Sequence, residues 1–341
     1  MPLLSRREFG LSLLAGSAVT AGFAGQAAAA DKIRVGILSL VSHAPTFIAA
    51  SKGYFDKQGL AAELVSFQAA APVAAGIAAG DLDFSVTAIT GGLISLADKG
   101  AVTVIGGSLQ ETQGIEGQKI LVSKKAYDSG VTSPAKLKGR SFGMTTTGSS
   151  FHYMAHKIAQ KEGFADTDIE LKPLQKIPVI IAALKSGQID AWSILPNIAD
   201  RLTKDGQVVE IGKISDYAPN YQVTTVFTST GNVAKRRDLV KRYIAAYSAG
   251  VADYNAALVD KTMSKEETAA IVGMVHKYVY ASDPIEKADA QIRAGAMRIS
   301  PNARLNLASV KDQFEWFLAE HMVPPDVTFD KLVNTGFVET D

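Results

Sequence analysis

The feature that most constrains this chain is an internal repeat at a constant offset of 107 residues, without gaps. "RVGILSLVSHAPTF", which starts at Arg34, lies over "SFGMTTTGSSFHYM", which starts at Ser141; Gly36 falls on Gly143, Ser42 on Ser149 and Phe47 on Met154. In the same register "AAELV" falls on "DIELK", and "AGIAAGDLDFSVTA" falls on "AALKSGQIDAWSIL". These place Glu63 over Glu170, Leu64 over Leu171, Ala75 over Ala182, Gly80 over Gly187 and Asp83 over Asp190. The identities are few, but one register also aligns the expected elements over about 55 residues. Each copy reads strand, polar loop, helix, Gly, strand, helix, Gly-x-φ-Asp, strand, with φ apolar. Two α/β lobes of similar build follow. Strands alternating with helices give mainly parallel sheets, and such sheets bind ligands at the carboxyl ends of their strands.

That edge carries Ser42 and His43 after the first strand of lobe one, and Thr87, Ala88 and Thr90 after a later one. In lobe two the matching loops are "TTTGSSFH" and "ILPNIAD". The first leads into a helix whose apolar face is Phe151, Met154, Ala155, Ile158 and Ala159, with Gly163 placed as its C-terminal cap. Three threonines, a glycine and two serines make a long prelude for a helix that needs one N-cap. A helix N-terminus has unpaired N–H groups and a partial positive charge, and small residues let a ligand approach them. Thr147, Gly148, Ser149 and Ser150 therefore read as ligand contacts, with Thr145 and Thr146 as further neutral donors. The arrangement suits a carboxylate, sulfonate or other oxyanion. Ordinary capping plus a β-branched strand end is the competing reading.

The chain opens with Arg6-Arg7, a modestly apolar run and the small residues Ala27 to Ala30, the pattern of a cleavable export signal over residues 1–30. Ser5-Arg6-Arg7-Glu8-Phe9 resembles the twin-arginine export signal, with Gly10 where that pattern usually has leucine. There are no cysteines, which excludes disulfides, a thiolate nucleophile and Cys-ligated metal. The formal net charge is +1 and falls to 0 without the signal, so charge steers the chain to neither nucleic acid nor anionic lipid. The expected location is periplasmic, as a soluble monomer with no direct membrane insertion.

"GYFDKQGLAAELV", "AAGDLDFSVT", "LKGRSFGMTTTGSS" and "ALKSGQIDAW" together resemble the periplasmic solute-binding proteins of ABC importers, nearest the nitrate/taurine/aliphatic-sulfonate/thiamine-precursor type. The resemblance runs from about Ile33 to about Pro196 and weakens in the C-terminal third. It implies a two-lobed, type II-like binding-protein fold with ligand enclosed between lobes, and a closed form that docks on a membrane permease driven by ATPases. On it, lobe one spans residues 31–123 plus 229–341 and lobe two residues 124–228. The C-terminal third then reads as helices on lobe one, with a capping box at Ser264 and Glu267 and with Leu239, Tyr243, Ile244, Tyr247 and Tyr254 as core.

His43 reads either as a donor to a bound anion or as a plain loop histidine. His152 and His156 stand at i, i+4 without HExxH or an adjacent acid, so no metal is expected, though His152 reaches towards the cleft. Trp192 reads as an aromatic wall of the cleft, with a core position as the alternative. Gln110, followed by Glu111 and Gln113, is a further polar candidate. Asp83 and Asp190 read as structural partners of nearby backbone. No catalytic residue or cofactor is expected. Enzymes on this fold type carry cysteine motifs, as the family resemblance implies, and this chain has neither those nor G-x-S-x-G or a P-loop. An exported sensory module, or a binder of a neutral thiamine-precursor-like pyrimidine, remains the alternative to an importer component for organic anions.

Overall fold

The structure, a computed structural model, describes residues 29–341. Nearly all of the export-signal reading over residues 1–30 therefore lies outside the described residues. The first half runs β1 (Asp31–Leu38), α1 (Ala44–Ser51), α2 (Tyr54–Lys57), β2 (Leu60–Phe67), α3 (Ala70–Ala79), β3 (Phe84–Thr87), α4 (Gly91–Asp98) and β4 (Val102–Gly107). It continues through β5 (Lys119–Ser123), α5 (Lys124–Asp128), β6 (Ser141–Met144), α6 (Ser150–Glu162), β7 (Glu170–Pro173), α7 (Ile177–Lys185), β8 (Ala191–Ile194), α8 (Pro196–Lys204) and β9 (Val208–Lys213). The last third holds β10 (Thr225–Ser229), α9 (Thr230–Lys235), α10 (Arg237–Tyr254), α11 (Lys265–His276), α12 (Ile285–Ala294), α13 (Leu307–Ala319) and α14 (Phe329–Leu332).

Two five-stranded sheets result, ordered β2-β1-β3-β10-β4 and β7-β6-β8-β5-β9. In the first, β1 pairs in parallel with β2 and β3, while β10 is antiparallel to both its neighbours. The second sheet repeats this with β6, β7, β8 and the antiparallel β5. The 107-residue register extends further than the sequence identities show. It carries β3 onto β8, α3 onto α7, β4 onto β9 and β5 onto β10 to within a residue or two.

The repeat is maintained by matching contacts. Asp83 Oδ2 accepts from the backbone N of Arg34 at 2.9 Å, and Asp190 Oδ2 accepts from the N of Ser141 at 2.9 Å, one repeat later. Both aspartates thus join strands of their sheet. Gly36 and Gly143 sit mid-strand where helices press closest. A Cβ at Gly36 would lie 2.7 Å from Val73 and 3.0 Å from Leu82, and at Gly143 2.9 Å from Ile180 and 2.6 Å from Ile189, the same two positions in each lobe.

The lobe boundaries differ from the expected ones. Residues 119–123, expected to end lobe one, form β5 in the second sheet, and residues 225–229, mostly expected in lobe two, form β10 in the first. Both segments are whole sheet strands. The chain crosses in the stretches before them, residues 108–118 and 214–224.

The C-terminal helices cover lobe one. Tyr243 of α10 stacks on Phe84 of β3 at 3.9 Å between ring centroids and on Phe55 at 5.7 Å. Leu239, Tyr243, Ile244, Tyr247 and Tyr254 are all buried, and the Ser264–Glu267 capping box is formed. Gly250 lets α10 approach α1, where a Cβ would lie 2.2 Å from the Pro45 carbonyl oxygen. Among the described residues no helix is long and apolar enough to cross a membrane.

Candidate functional site: a closed cavity between the lobes

The lobes meet along three lines. Across the cleft mouth, the Gly91 N–H at the start of α4 donates to the Gly148 carbonyl at 3.1 Å. On one flank, the Tyr153 hydroxyl of α6 donates to Asp312 of α13, Lys157 Nζ lies 3.2 Å from the same carboxylate, and Trp316 packs on His152, Tyr153 and His156. On the other flank, Asn197 Nδ2 of α8 donates to the Tyr280 hydroxyl at 2.7 Å and Arg201 reaches Asp283 at 3.3 Å.

Between these lines lies a narrow cavity of about 70 Å³ with mostly apolar walls. Its walls follow the repeat. Leu38 faces Thr145, Ser42 faces Ser149, His43 faces Ser150, Ala70 faces Ile177, Thr87 faces Ile194 and Ala88 faces Leu195, in the sense that each pair occupies equivalent positions on the two lobes. Leu40, Ala69, Thr90 and Phe151 complete the lobe walls, and the crossing segments add Leu109, Gln118, Val223 and Thr224. Among the described residues no Asp, Glu, Lys or Arg lines the cavity.

The polar groups are unequal in how they are satisfied. Thr90 is an ordinary N-cap, its hydroxyl accepting from Leu93 N at 3.1 Å. Ser149 occupies the N-cap position of α6 in extended backbone (φ −84°, ψ 168°), yet its side chain makes no capping bond. Its Oγ is buried and has no partner among the described residues. The N–H groups of the first turn of α6, from Ser150 onwards, are therefore uncapped beside an unpaired hydroxyl. His43 Nδ1 accepts from Leu38 N at a long 3.5 Å, and burial pushes its imidazole down to about 3. The ring is neutral, its proton stands on Nε2, and it offers a donor.

Seven of the twelve residues expected at the site line the cavity: Ser42, His43, Thr87, Ala88, Thr90, Ser149 and Ser150. Five stand elsewhere. Thr147 is exposed, because the chain turns outward there before Gly148 (φ +70°) brings it back. Gly148 holds the mouth contact instead of lining the cavity. His152 faces Trp316, and its Nδ1 accepts from Gly148 N at 3.1 Å; burial pushes its imidazole down to about 4. Gln110 lies on the lobe-one side of the crossing, accepting from Ser300 Oγ at 3.3 Å. Trp192 is not the cleft wall: it is fully buried in β8, behind Phe151 at 5.4 Å. His156 pairs with Asp166 at 2.7 Å, and among the described residues no cluster of His, Asp or Glu is suited to a metal ion.

The family profile described as NMT1/THI5-like matches residues 41–257, more than half of the chain. The chain belongs to the NMT1/THI5-like family. A putative aliphatic sulfonates-binding protein of Bacillus subtilis (strain 168) is 29% identical over 247 residues, covering 70% of either chain. The alkanesulfonate-binding protein of Xanthomonas axonopodis pv. citri, solved with MOPS bound, has the same fold at TM-score 0.69 and 18% identity, covering 91% of this chain and 100% of that one. The periplasmic aliphatic sulphonate-binding protein of Escherichia coli gives TM-score 0.68 at 18% identity, covering 89% and 92%. The NMT1/THI5-like chain thus has the two-lobed periplasmic-binding-protein fold that its motifs resemble. The family match ends at residue 257, so α11 to α14, which hold one side of both flank contacts, lie beyond it.

Proposed function

We propose that the protein is the extracytoplasmic solute-binding component of an ABC importer, and that it captures a small organic monoanion, a sulfonate or carboxylate, between its lobes for delivery to a permease. The unpaired Ser149 hydroxyl at the uncapped start of α6 carries this reading. An oxyanion there would accept from Ser149, from the first-turn N–H groups and from His43 Nε2, with the helix dipole adding to the attraction. Leu38, Leu40, Leu109, Phe151, Ile177, Ile194 and Leu195 would enclose an apolar body. With no lining cation, a dianion would be held poorly. The same lack favours, as a second reading, a neutral pyrimidine of the thiamine-precursor kind. Export through the amino-terminal signal and action as a monomer belong to the same proposal.

The test is titration calorimetry of the wild type and Ser149→Ala against alkanesulfonates, arylsulfonates, carboxylates, nitrate and pyrimidines. Losing a hydrogen bond to a buried charged group costs about 1–3 kcal/mol, so the variant is expected to bind roughly 10- to 100-fold more weakly. The unliganded variant, relieved of a buried unpaired hydroxyl, is expected to melt no lower than wild type. Equal affinity of the two proteins for the cargo would remove Ser149 from the site and the reading with it.

A further inference from the structure

Glu111 is fully buried in the first crossing segment, immediately behind the cavity. Its Oε1 accepts twice from Gln118, from the backbone N at 3.1 Å and from the side-chain Nε2 at 3.2 Å, while Oε2 is buried without a partner among the described residues. The loop is shaped around this carboxyl group: a Cβ at Gly117 would fall 2.2 Å from Oε2. The Glu111 N–H donates to the Tyr221 carbonyl at 2.9 Å, so the same residue ties the first crossing segment to the second. Gln118 in turn lines the cavity. With one Nε2 hydrogen directed at Glu111, the NH2 end of the Gln118 amide is held towards the carboxyl group and its carbonyl oxygen is left for a ligand.

We propose that Glu111 is a positioning residue that sets which end of the Gln118 amide the ligand meets, and that its protonation reverses that end. An ionised carboxylate only accepts, so it keeps the Gln118 NH2 turned away from the cavity and presents an acceptor there. A protonated carboxyl donates its O–H to Gln118 Oε1 and still accepts the backbone N–H. The amide then turns over and offers NH2 to the cavity. Protonation also removes a negative charge from behind the site. Both effects favour a ligand with acceptor atoms only, such as a simple sulfonate, in the protonated state. The ionised state favours a ligand carrying its own donor.

The surroundings allow the change near neutral pH. Burial pushes the Glu111 carboxyl up to about 7, against the two Gln118 bonds that lower it; Glu116 raises it and Lys119 lowers it. Lys119 is itself held between Glu116 and Glu210. Among the described residues the remaining titratable group facing Glu111 is the buried Tyr221 phenol from the second crossing segment, which has no partner there and stays protonated.

The inference rests on the cavity being the ligand site, so its first test uses no ligand. The Gln118 side-chain NH2 resonances, assigned by their loss in Gln118→Met, are followed by 15N NMR from pH 5.5 to 8.5. They are expected to titrate near neutral pH in the unliganded wild type and to stay still in Glu111→Gln. Static Gln118 resonances in the wild type, whose folding is not in question, would overturn the proposal. The second test uses butanesulfonate as the probe. Wild-type affinity is expected to rise as pH falls from 8 to 6, by at most tenfold per unit for one linked proton, and to be flat in Glu111→Gln. Binding that is independent of pH in both proteins would also overturn it. No butanesulfonate binding, with the NMR titration present, would instead refute the sulfonate reading and leave the Glu111–Gln118 coupling standing.

Discussion

Gly148 separates closure from folding, and Gly148→Ala is the sharpest test of the closed cavity. Its φ is +70°, so any L side chain costs about 1–2 kcal/mol there, whether the lobes are open or shut. In the closed form the new Cβ would also lie 3.0 Å from Phe317 Cε1 and 3.3 Å from Gly91 N, the donor of the mouth hydrogen bond. Crowding of this kind costs about 1–3 kcal/mol and the lost bond about 1 kcal/mol, and both fall on the closed state alone. A net bias of about 2–4 kcal/mol weakens ligand binding roughly 30- to 700-fold. Gly163→Ala is the control, since its φ is +74° and nothing lies within 4 Å of its Cβ position. The two variants are expected to melt alike without ligand, a few °C below wild type. Calorimetry is expected to show the affinity loss in Gly148→Ala only. If both bound like wild type, the mouth contact would not form around ligand and the reasoning from closure would fail.

Gly143→Ala places a methyl 2.6 Å from Ile189 Cδ1 and 2.9 Å from Ile180 Cγ2. It is expected to cost about 1–3 kcal/mol in denaturant melts, and an unchanged midpoint would refute the close helix–strand packing. Asp312→Ala removes the partner of Tyr153 and Lys157, and is expected to weaken binding by up to about fivefold while quenching or shifting the Trp316 fluorescence change on ligand addition. An identical change would mean the flank does not close. Glu111 has a folded value of about 7, raised above the 4.5 of a free side chain, so the folded state holds a proton that the unfolded state has lost between those values. Stability is therefore expected to fall by up to about 3 kcal/mol as pH rises from 4.5 through 7. Denaturant melts of Glu111→Gln are expected to lack that fall; an equal fall in both proteins would assign it elsewhere.

The repeat was legible because it is carried by residues with strict backbone duties. Gly36 and Gly143 admit a helix, Asp83 and Asp190 bind backbone, and none of the four tolerates much change. Its extension to β4/β9 and β5/β10 was not legible, since a buried strand needs only to be apolar and keeps little identity. The same physics explains Trp192. All four residues of β8 are buried, so alternation gives no face, and the ligand edge lies two residues further on at Ile194-Leu195. Gln118, Leu109, Val223 and Thr224 lie in crossing segments that carry no motif. Ala69, Ala70 and Ile177 could have been found by carrying the repeat to the first turns of α3 and α7.

The exchange of β5 and β10 has a consequence for how such a cleft acquires selectivity. Each repeat unit supplies four strands of its own sheet and the antiparallel strand of the other, so one unit alone is a sheet with a slot in it. Two identical units could fill each other's slots only as a strand-swapped homodimer, and its cleft would be two-fold symmetric, with the same group on either wall. Joining the units in one polypeptide lifts that symmetry. Here His43 has Ser150 as its counterpart on the other wall, Leu38 has Thr145 and Thr87 has Ile194. A cavity of that kind has a head and a tail, and so can a molecule that fits it.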